Sequence, residues 1–415
     1  MSINTVAVVG LGYIGLPTAA ILASKDIKVI GIDVNTHTVD AVNRGDVPFI
    51  EPDLAAYVAG AVTHGTLRAT SKPEPADAFI VAVPTPFKAG MKPDLSYIEE
   101  AAKALAPCLR GGELVVLEST SPPTATAQMA KWILDARPDL SIDGDDGTIV
   151  HFAHCPERVL PGRIMIELVM NSRVIGGLTR EAGERARELY RVFCQGDILL
   201  TDATTAEMTK LAENTFRDIN IAFANELASI CDRTGVDVWE LIALANNHPR
   251  VQILRPGPGV GGHCIAVDPW FLIDANPESA NLIRAARQTN DAKPRIVVNS
   301  IIESVRKYAP QSVALIGLTF KSDVEDTRES PSMRIAEEVA TQCDHVQFYL
   351  VEPHLDELPP SLARLPNTTL CASIPMTTDL AFELVNHQSV PDETYKRAGN
   401  VVSFVRNVDS IGEPS

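Results

Sequence analysis

Cys264 and Asp268 follow a run of glycine and proline residues, PGPGVGG (256–262), and this arrangement is the most chemically suggestive stretch of the chain. The run can form neither a helix nor a central strand, because glycine frees the backbone and proline removes an N–H donor. Such a loop lets main-chain N–H groups approach a ligand closely. A helical turn over residues 263–269 would place Asp268 on the same side as Cys264. Cys264 is therefore a candidate nucleophile, although a lone cysteine is more often a small buried hydrophobic residue.

A second candidate site lies near the N-terminus, in TVAVVGLGYIG (5–15). TVAVV predicts a buried strand, and the GxGxxG spacing then opens a helical pattern that continues to Ala23. The glycines permit a tight turn against a pyrophosphate, and the helix N-terminus supplies N–H donors. The next strand, KVIGID, ends at Asp33, whose carboxylate can accept hydrogen bonds from a ribose diol and would repel a 2′-phosphate. The predicted NAD-binding residues are Gly10, Gly12, Tyr13, Ile14, Gly15 and Asp33. A structural turn in a nucleotide-free lobe is the alternative.

Further residues follow later strands of the same region. FIVAV (79–83) and ELVVLE (113–118) continue the pattern of a parallel sheet. Ligands bind at the carboxyl ends of such strands. The residues after these two strands, Pro84, Thr85 and Thr120, are therefore additional candidates for the cofactor site.

HFAHCPERVLPG (151–162) contains two histidines and a cysteine and therefore suggests a metal site. On a strand, His151 and His154 would point to opposite faces, and no second cluster in the sequence completes a zinc site. We expect no metal site here or elsewhere in the chain. Glu157, after a proline at the end of the apparent strand, is a better candidate for chemistry.

One long helix is predicted from Thr204 to Thr234, and Gly235 supplies its stop signal. Lys210 and Asn214 are four residues apart and share a face roughly opposite the main apolar stripe, so spacing alone favours a solvated pair. The stripe predicts a helix packed in the domain core, with a subunit interface, and thus at least a homodimer, as the alternative. Its residues are Met208, Leu211, Ala212, Phe216, Ile219, Phe223, Leu227 and Ile230.

Composition limits the classes of partner. The chain of 415 residues has 36 Lys and Arg against 53 Asp and Glu, a net charge of −17, which disfavours nucleic acid and anionic membranes as partners. No stretch approaches the roughly 20 apolar residues that cross a bilayer. The apolar N-terminal segment has no basic residue before Lys25, unlike a signal peptide. The seven cysteines contain no CxxC pair, which favours reduced thiols and a cytoplasmic location.

A thiol beside a nicotinamide cofactor restricts the possible reaction. Alcohol oxidation needs no cysteine, because hydride leaves carbon directly for the nicotinamide. Aldehyde oxidation benefits from one, because a thiolate forms a thiohemiacetal whose oxidation gives a thioester. The two candidate sites together predict oxidation at the aldehyde level.

Motifs along nearly the whole chain resemble those of the UDP-glucose/GDP-mannose dehydrogenase family. In order, they are VAVVGLGYIGLP, VPTP, ESTSPP, CPERVLPG, AEMTKLAENTFRDINIAFANELA, PGPGVGGHCIAVDPWFL and GLTFKSDVEDTRESPS. PERVLPG and NHPRVQILRPGPGVGGHCIAVDPWF are most similar to the branch that acts on UDP-N-acetyl-D-mannosamine. The resemblance implies an NAD-dependent four-electron oxidation of the sugar's C6 alcohol to a carboxylate through a thiohemiacetal and thioester on Cys264, which yields a uronate for a surface polysaccharide.

The resemblance also implies roles for individual residues. Lys210 and Asn214 match the pair that stabilises a developing oxyanion, and Lys210 is also a candidate proton acceptor. Asp268 matches a residue that orders water or tunes proton transfer, and Thr120 and Glu157 match residues that position the hydrolytic water. The implied substrate-binding residues are Glu157, Arg158, Val159, Lys210, Asn214, Arg250, Gly257, Gly259, Gly261, Lys321 and Arg328.

Several positions depart from the family pattern. Pro161 stands where UDP-glucose dehydrogenases carry a second glutamate, and Arg158 replaces an aromatic residue, which argues against UDP-glucose as the substrate. Arg250 corresponds to the arginine that reaches a neighbouring subunit's sugar, but its spacing to Cys264 differs. The ending VVSFVRN is also unusual, so Arg406 is only a weak ligand candidate.

The resemblance implies an α/β chain of three parts. A Rossmann-type doubly wound parallel sheet would bind NAD over 1–200, a long central helix would belong to a dimerisation and catalytic domain over 201–300, and a Rossmann-like lobe would bind the UDP-sugar over 301–415. In the sequence, SVALIGLTFK near Ser312 and HVQFYLVEP (345–353) are strands of this last lobe. No GxGxxG recurs there, so a second dinucleotide is not expected.

Other functions stay open. A UDP-N-acetylglucosamine 6-dehydrogenase would act on a sugar that differs at one centre, and no motif reads that centre. A two-electron hydroxyacid dehydrogenase shares the NAD lobe, the long helix and a lysine, but it would leave Cys264 without a task. A silent nucleotide-sugar binding protein would not need its four candidate residues together, namely Lys210, Asn214, Cys264 and Asp268.

Overall fold

The computed structural model describes residues 3–88, 90–144, 147–262, 264–376 and 378–406. The chain forms two compact units. The first consists of Met1–Glu213 and Trp270–Pro277, and the second of Asn214–Pro269 and Glu278–Ser415. Among the described residues, no helix combines the length and the apolar character that crossing a membrane requires.

The described part of residues 3–202, within the first unit, contains ten strands and seven α-helices. The strands are β1 (Thr5–Val9), β2 (Lys28–Ile32), β3 (Leu67–Thr70), β4 (Ala78–Val81), β5 (Phe87–Lys88), β6 (Lys92–Pro93), β7 (Leu114–Leu117), β8 (His151–His154), β9 (Arg173–Gly177) and β10 (Ile198–Asp202). The helices are α1 (Gly15–Ala23), α2 (Thr36–Asn43), α3 (Leu54–Thr63), α4 (Ser96–Leu105), α5 (Ala125–Ala136), α6 (Ile164–Met170) and α7 (Arg180–Arg191).

Eight of these strands form one sheet in the order β10-β9-β8-β7-β4-β1-β2-β3, and β5 pairs with β6 separately. The chain moves outward from β1 to β3 and then returns to β4 on the other side of β1. The direction therefore switches between β1 and β4, which is where open α/β sheets bind nucleotides. Neighbouring strands are parallel except β8 and β9, which are antiparallel. The predicted parallel sheet is thus confirmed, with one antiparallel pair as an exception.

Both faces of this sheet are covered, and this explains its sequence pattern. Val6 and Val8 of β1 belong to the apolar cluster that includes α1 and α3, whereas Ala7 and Val9 belong to the cluster that includes α4 and α5. A strand buried on both faces has no polar side, so it is a continuous apolar run. The runs at 5–9 and 79–83 predicted strands for this reason.

The helices that follow are α8 (Ala203–Thr234), α9 (Val238–Ala245), α10 (Asp268–Ala275) and α11 (Asn281–Tyr308). The predicted long helix is confirmed by α8, and Leu211 of its apolar stripe is buried, but burial in the domain core is wrong for four of the larger side chains. Met208, Phe216, Phe223 and Ile230 are 45%, 68%, 53% and 44% exposed. The face that α8 buries carries mostly small residues, including Ala222, Ala224 and Ala228. The helix packs closely through the small residues, and this leaves the bulky stripe outside.

The second unit ends in another sheet, whose strands are β11 (Ser312–Ile316), β12 (Gln347–Val351), β13 (Thr368–Cys371), β14 (Thr378–Glu383) and β15 (Ala398–Ser403). Helices α12 (Pro331–Gln342), α13 (Pro360–Ala363) and α14 (Asp392–Tyr395) connect them. The order is β13-β12-β11-β14-β15, and all neighbours are parallel. As in the first sheet, the chain moves outward on one side of its first strand and then returns to the other side. The direction here switches between β11 and β14.

Candidate active site

The glycines after β1 form a loop with two different uses. Gly10 has φ +93°, and a Cβ there would lie 2.6 Å from the Ala82 carbonyl oxygen. A Cβ on Gly15 would lie 1.8 Å from the Gly10 carbonyl oxygen. These two glycines therefore serve close packing. Gly12 differs, because its Cβ would meet nothing within 4 Å. Its missing side chain leaves open space before the N-terminus of α1, which fits the approach of a dinucleotide pyrophosphate.

Asp33 follows β2 directly and is tied to this loop. Its Oδ2 accepts from the Leu11 N–H at 2.8 Å, and its Oδ1 accepts from the Asn35 N–H at 2.8 Å. The carboxylate is half-buried, and each of its oxygens retains a second lone-pair site for a ribose hydroxyl. Tyr13 is partly exposed and stacks on Phe49 with ring centroids 4.2 Å apart.

The loops after β4 and β7 are joined at the same edge of the sheet. Thr85 donates from Oγ1 to the Thr120 carbonyl at 2.6 Å, and Ser119 donates from Oγ to the Val83 carbonyl at 2.6 Å. The structure therefore brings Thr85 and Thr120 together, and exposed Pro84 precedes Thr85. They lie at the same edge of the sheet as the glycine loop that begins at Gly10.

Glu157 lies in a buried charged cluster that the sequence did not reveal. Its Oε2 accepts from Arg173 at 3.1 Å, and its Oε1 accepts from the Arg158 N–H at 2.6 Å. The Arg173 guanidinium also lies over the rings of Tyr190 and Phe193, at 4.9 and 5.2 Å from their centroids. Glu157 is therefore held as an ion pair. The signal available in the sequence was an arginine at the start of the apolar strand β9.

Glu118, after β7, shares this cluster and titrates unusually. It accepts from Tyr190 at 3.0 Å and from Thr18 at 3.2 Å, and it is 1% exposed. Burial and the nearby charge of Glu157 raise its pKa to about 8, although Arg173 opposes the shift. One arginine thus lies near two carboxylates, and this arrangement favours the protonated form of Glu118.

Arg158 and Val159 occupy the loop that follows. Arg158 donates from Nε to Glu213 at 3.0 Å, and Glu213 directly precedes Asn214 in α8. Val159 is partly buried against the sheet's apolar cluster. The arginine that replaces the family's aromatic residue is thereby fixed to the helix that carries Asn214.

Glu207, one turn before Lys210 in α8, anchors the loop that contains Thr120. The Glu207 carboxylate accepts from the Thr124 N–H at 2.6 Å and from the N–H and hydroxyl of Thr126 at 2.7 and 2.6 Å. It is 1% exposed and lies at the N-terminus of α5, and burial raises its pKa although the hydrogen bonds from Thr126 and Thr124 act in the opposite direction. Lys210 itself is half-buried. Nothing in the sequence marks Glu207, because its partners Thr124 and Thr126 lie 83 and 81 residues away.

Asn214, Cys264 and Asp268 are brought together within the second unit. Asn214 donates from Nδ2 to Asp268 Oδ2 at 2.6 Å, and the Asp268 N–H donates to the Cys264 carbonyl at 2.9 Å. This turn precedes α10 and places Cys264 and Asp268 on one side, as the spacing predicts. Asp268 is 2% exposed, whereas Cys264 is exposed. The bond fixes the Asn214 amide, and it leaves the second N–H of that amide for another acceptor.

All seven cysteines are thiols, and their exposures differ. Cys155, Cys194, Cys231 and Cys343 are buried, Cys108 and Cys371 are intermediate, and Cys264 is exposed. Burial raises the pKa of Cys155 to about 12. Cys264 is thus the cysteine most open to a substrate.

The glycine loop before Cys264 has no regular secondary structure, as predicted. Gly257 donates its N–H to Asn225 Oδ1 at 2.9 Å. Gly259 has φ +148°, and a Cβ on Gly261 would lie 2.6 Å from Pro331 Cδ. The loop therefore contacts α8 on one side and the start of α12 on the other.

The basic candidates have different surroundings. Lys321 and Arg250 are exposed. Arg328 is exposed and donates to Asp326 of its own loop, from Nε at 2.8 Å. Arg406 is mostly buried and donates from Nε to Glu383 Oε2 at 2.9 Å, which indicates a structural role. Lys321 and Arg328 lie in the loop after β11, at the carboxyl end of the second sheet.

A group of possible metal ligands consists of one residue of this loop and two histidines close to it. Among the described residues, Asp323, His354 and His387 bring ligand atoms within 4.8 Å of one another. However, His387 Nδ1 accepts from the Asp323 N–H at 3.0 Å, and His387 Nε2 lies 3.1 Å from Glu352 Oε2. Because both ring nitrogens already bond to protein groups, we assign the cluster to loop structure.

Comparisons with known proteins identify the relatives of this arrangement. Models of the UDP-glucose/GDP-mannose dehydrogenase family match the NAD binding domain at residues 4–194, the central domain at 204–292 and the UDP binding domain at 314–408.

Individual relatives match most of the chain. An NDP-N-acetyl-D-galactosaminuronic acid dehydrogenase of Ralstonia nicotianae is 54% identical over 93% of this chain and 91% of its own. A UDP-N-acetyl-D-mannosamine dehydrogenase of Yersinia pestis is 51% identical over 94% of each. The solved UDP-D-ManNAc dehydrogenase of Pyrococcus horikoshii is 38% identical, with a TM-score of 0.85 over 99% of this chain and 96% of its own. The chain therefore belongs to the UDP-glucose/GDP-mannose dehydrogenase family and is an NAD-dependent nucleotide-sugar dehydrogenase.

Proposed function

We propose that the protein oxidises the C6 alcohol of UDP-N-acetyl-D-mannosamine to the carboxylate of UDP-N-acetyl-D-mannosaminuronate. The observation that carries this proposal is the group formed by Asn214, Cys264 and Asp268. It combines an exposed thiol with an amide held at 2.6 Å by a buried carboxylate. A two-electron alcohol oxidation needs no thiol, so this group supports a four-electron reaction.

In the first stage, the C6 alcohol loses a proton and a hydride and becomes an aldehyde. The bound NAD⁺ supplies the hydride acceptor. Lys210 accepts the proton or stabilises the oxyanion, and the Asn214 amide donates to the same oxygen.

In the second stage, the Cys264 thiolate adds to the aldehyde carbon and gives a thiohemiacetal. Loss of a second hydride from the thiohemiacetal would give the thioester, and a second NAD⁺, held like the first by Asp33 and the glycine loop after β1, would supply the hydride acceptor. Water then breaks the carbon–sulfur bond, so the carboxylate leaves and the thiol is restored. The sum is one alcohol, two NAD⁺ and one water converted to one carboxylate, two NADH and three protons.

The proposed water-handling residues are Asp268, Thr120 and Glu157. Glu157 forms an ion pair with Arg173 at 3.1 Å, and its carboxylate oxygens are suitable hydrogen-bond acceptors for water. The remaining substrate contacts are proposed from the family motifs. These residues are Arg158, Val159, Arg250, Gly257, Gly259, Gly261, Lys321 and Arg328.

The choice of sugar is supported by relatives named for UDP-N-acetyl-D-mannosamine, which include the Yersinia pestis enzyme at 51% identity. A second candidate is a nucleotide-linked N-acetyl-D-galactosamine, because the 54% identical Ralstonia nicotianae relative is named for N-acetyl-D-galactosaminuronic acid. UDP-N-acetyl-D-glucosamine is a third, since it differs from the mannosamine sugar at one centre.

The test is the amount of NADH formed per mole of limiting sugar. UDP-ManNAc, UDP-GalNAc and UDP-GlcNAc are assayed separately with the wild type, Cys264→Ser and the control Cys108→Ser. We expect two NADH per UDP-ManNAc for the wild type and the control, and loss of the reaction in Cys264→Ser. One NADH per sugar would contradict the four-electron reaction, and activity confined to another sugar would reassign the substrate.

We also propose a homodimer formed through the exposed stripe of α8. Phe216 and Phe223 are 68% and 53% exposed, and such large apolar side chains in one row favour burial against a second copy. Light scattering should give a dimer for the wild type and a monomer for Phe223→Glu. The matched control is Tyr308→Glu on α11, also about half exposed, which should remain dimeric. A wild-type monomer would contradict this proposal.

The cellular role is proposed on chemical grounds. Seven reduced thiols suit a cytoplasmic enzyme, and a nucleotide-linked uronate is an activated precursor for surface polysaccharide. The division into NAD-binding (1–200), central (201–300) and UDP-sugar-binding (301–415) domains is likewise a prediction that separate expression of the parts would test.

A further inference from the structure

Four polar residues are buried between α8 and α11 and are not among the predicted site residues. Asp218 and Asn225 lie on α8, and Arg287 and Asn290 lie on α11. Their exposures are between 0% and 1%. Burying polar groups costs free energy unless they bond to each other, and well-packed apolar residues could join two helices equally well. A polar group of this kind therefore calls for a reason beyond helix packing.

The four side chains form one continuous chain of hydrogen bonds. Arg287 donates from Nη1 to Asp218 Oδ1 at 2.5 Å. Asn290 donates from Nδ2 to the same Oδ1 at 2.8 Å and to the Asp218 carbonyl at 2.9 Å. Asn225 donates from Nδ2 to Asn290 Oδ1 at 2.9 Å. Each amide is oriented by the one before it, so the Asn225 carbonyl oxygen has a fixed direction.

That oxygen accepts the Gly257 N–H at 2.9 Å, and Gly257 lies in the loop before Cys264. The series of hydrogen bonds thus ends on the backbone N–H of Gly257, 32 residues after Asn225 in sequence. The opposite side of the loop is equally constrained, because a Cβ on Gly261 would lie 2.7 Å from the Glu329 carbonyl oxygen. The loop is therefore fixed by one hydrogen bond from α8 and by close packing at its far end.

We propose that Asn225 is a positioning residue for the nucleotide sugar, acting through Gly257. Its hydrogen bond to Gly257 holds the loop in the position from which the main-chain N–H groups of the loop reach the substrate. The same bond thereby also positions Cys264, which follows the loop in sequence. The inference rests on the proposed function, in that it assumes that this loop binds the sugar nucleotide. The ion pair of Asp218 and Arg287 is the anchor that orients the two amides.

The experiment compares Asn225→Ala with the matched control Asn220→Ala. Asn220 is on the same helix, but its amide donates to the Phe216 carbonyl of the helix itself at 2.7 Å. KM is measured separately for the nucleotide sugar and for NAD⁺. We expect Asn225→Ala to raise the sugar KM about tenfold or more while the NAD⁺ KM stays within about twofold, since loss of one hydrogen bond and a small loop shift act at the sugar only.

Two further variants keep the test decisive. Asn225→Asp retains an acceptor for the Gly257 N–H but replaces the donor to Asn290 Oδ1 with an oxygen, so its sugar KM should lie between those of the wild type and Asn225→Ala. Asn225→Ser leaves a smaller cavity than Asn225→Ala. Its short side chain does not reach the Gly257 N–H, because the hydroxyl bonds back to the helix. This variant replaces Asn225→Ala if the alanine variant does not fold. Equal increases in both KM values, or a sugar KM for Asn225→Ala no higher than that for Asn220→Ala, would overturn the inference.

Failure of the proposed function gives a different result. If the wild type prefers another nucleotide sugar, the KM comparison is made with that sugar and the prediction for Asn225 is unchanged. If titration calorimetry shows that the wild type binds no nucleotide sugar, the proposed function fails for every variant alike.

Discussion

The two sheets place an acidic residue at the same point and use it differently. Asp33 follows β2 in the first sheet, and Glu352 follows β12 in the second. Each accepts a backbone N–H from the loop after the first strand of its own sheet, from Leu11 at 2.8 Å and from Leu318 at 2.7 Å. Asp33 is half-buried, whereas Glu352 is 1% exposed. Equivalent topology therefore does not imply an equivalent ligand.

The difference comes from what covers the second acid. His387 lies at 3.1 Å from Glu352 Oε2, and the Thr319 N–H donates to the same oxygen at 3.2 Å. These groups bond to Glu352 Oε2, and the His354 N–H bonds to Oε1 at 3.1 Å, so protein groups already use both oxygens of this acid. Glu352 therefore stabilises the loop that carries Lys321, while Asp33 stays accessible to a ligand. Exposure of the acid, rather than its place in the fold, is therefore what makes Asp33 the candidate for the dinucleotide site.

The largest expected effect is on stability, from Glu352→Ala. This variant leaves the N–H groups of Leu318 and Thr319 and the His387 ring buried without their acceptor, so it should lower the free energy of unfolding by about 3 kcal/mol or more. Asp33→Ala should cost less than about 1 kcal/mol, because water can replace a half-buried carboxylate. Chemical denaturation measures both variants. Equal losses would break the comparison.

The second effect is a pH dependence that distinguishes two buried acids. For Glu352, burial acts to raise the pKa, but hydrogen bonds from His387 and Leu318 outweigh it and hold the pKa below the ordinary value. Its contribution to stability is therefore present above the unfolded pKa and lost as the pH falls through the folded pKa. Glu118, whose pKa is about 8, behaves oppositely. Its contribution is full below the unfolded pKa of about 4.5 and is lost as the pH rises toward 8.

Glu118→Gln should therefore remove part of the alkaline loss of stability. Between pH 6 and 8 the wild type should lose on the order of 2 kcal/mol more than the variant, because one proton must leave a buried carboxyl. Denaturation curves at several pH values measure this, with Glu100→Gln, a substitution of an exposed glutamate, as the control. Parallel pH profiles for wild type and Glu118→Gln would contradict the assignment.

The third effect is on cofactor affinity. Asp33→Ala should raise the KM for NAD⁺ about tenfold, since it removes the charged acceptor proposed for the ribose diol, and it should lower the preference for NAD⁺ over NADP⁺. The KM for the sugar should change little. Steady-state kinetics with both cofactors measures the two quantities. An unchanged NAD⁺ KM would mean that Asp33, like Glu352, only supports its loop.

The smallest effect is expected from the exposed ion pair in the loop of the second sheet. Arg328 is 56% exposed and pairs with Asp326, so Asp326→Asn should change the free energy of unfolding by less than about 0.5 kcal/mol. The small difference should shrink further in high salt. A loss comparable to that of Glu352→Ala would show that the exposed pair, and not the buried acid, stabilises the loop.

Local features of the fold were predictable from sequence. The strand, glycine turn and helix at 5–23 depend on neighbouring residues, and so does the turn that brings Asp268 beside Cys264. The length of α8 also followed from its period. The sequence did not predict whether another surface covers this apolar stripe. The period of the apolar residues identifies a helix face, but it does not identify the element that packs on that face.

Long-range polar contacts were not predictable. Asn225 and Gly257 bond across 32 residues, and Glu207 and Thr126 across 81. Asparagine and glutamate are ordinary residues on a helix, so neither type nor spacing marks them. Their partners are decided by how the helices and loops pack, which a single sequence does not state.

The unequal exposure of the seven cysteines has a practical consequence. An alkylating reagent should reach Cys264 first, since the other six are buried or intermediate and several, including Cys155, have a raised pKa. The number of fast-reacting thiols per chain would then count the competent sites in a preparation. Protection of that thiol by a nucleotide sugar would report occupancy without any turnover.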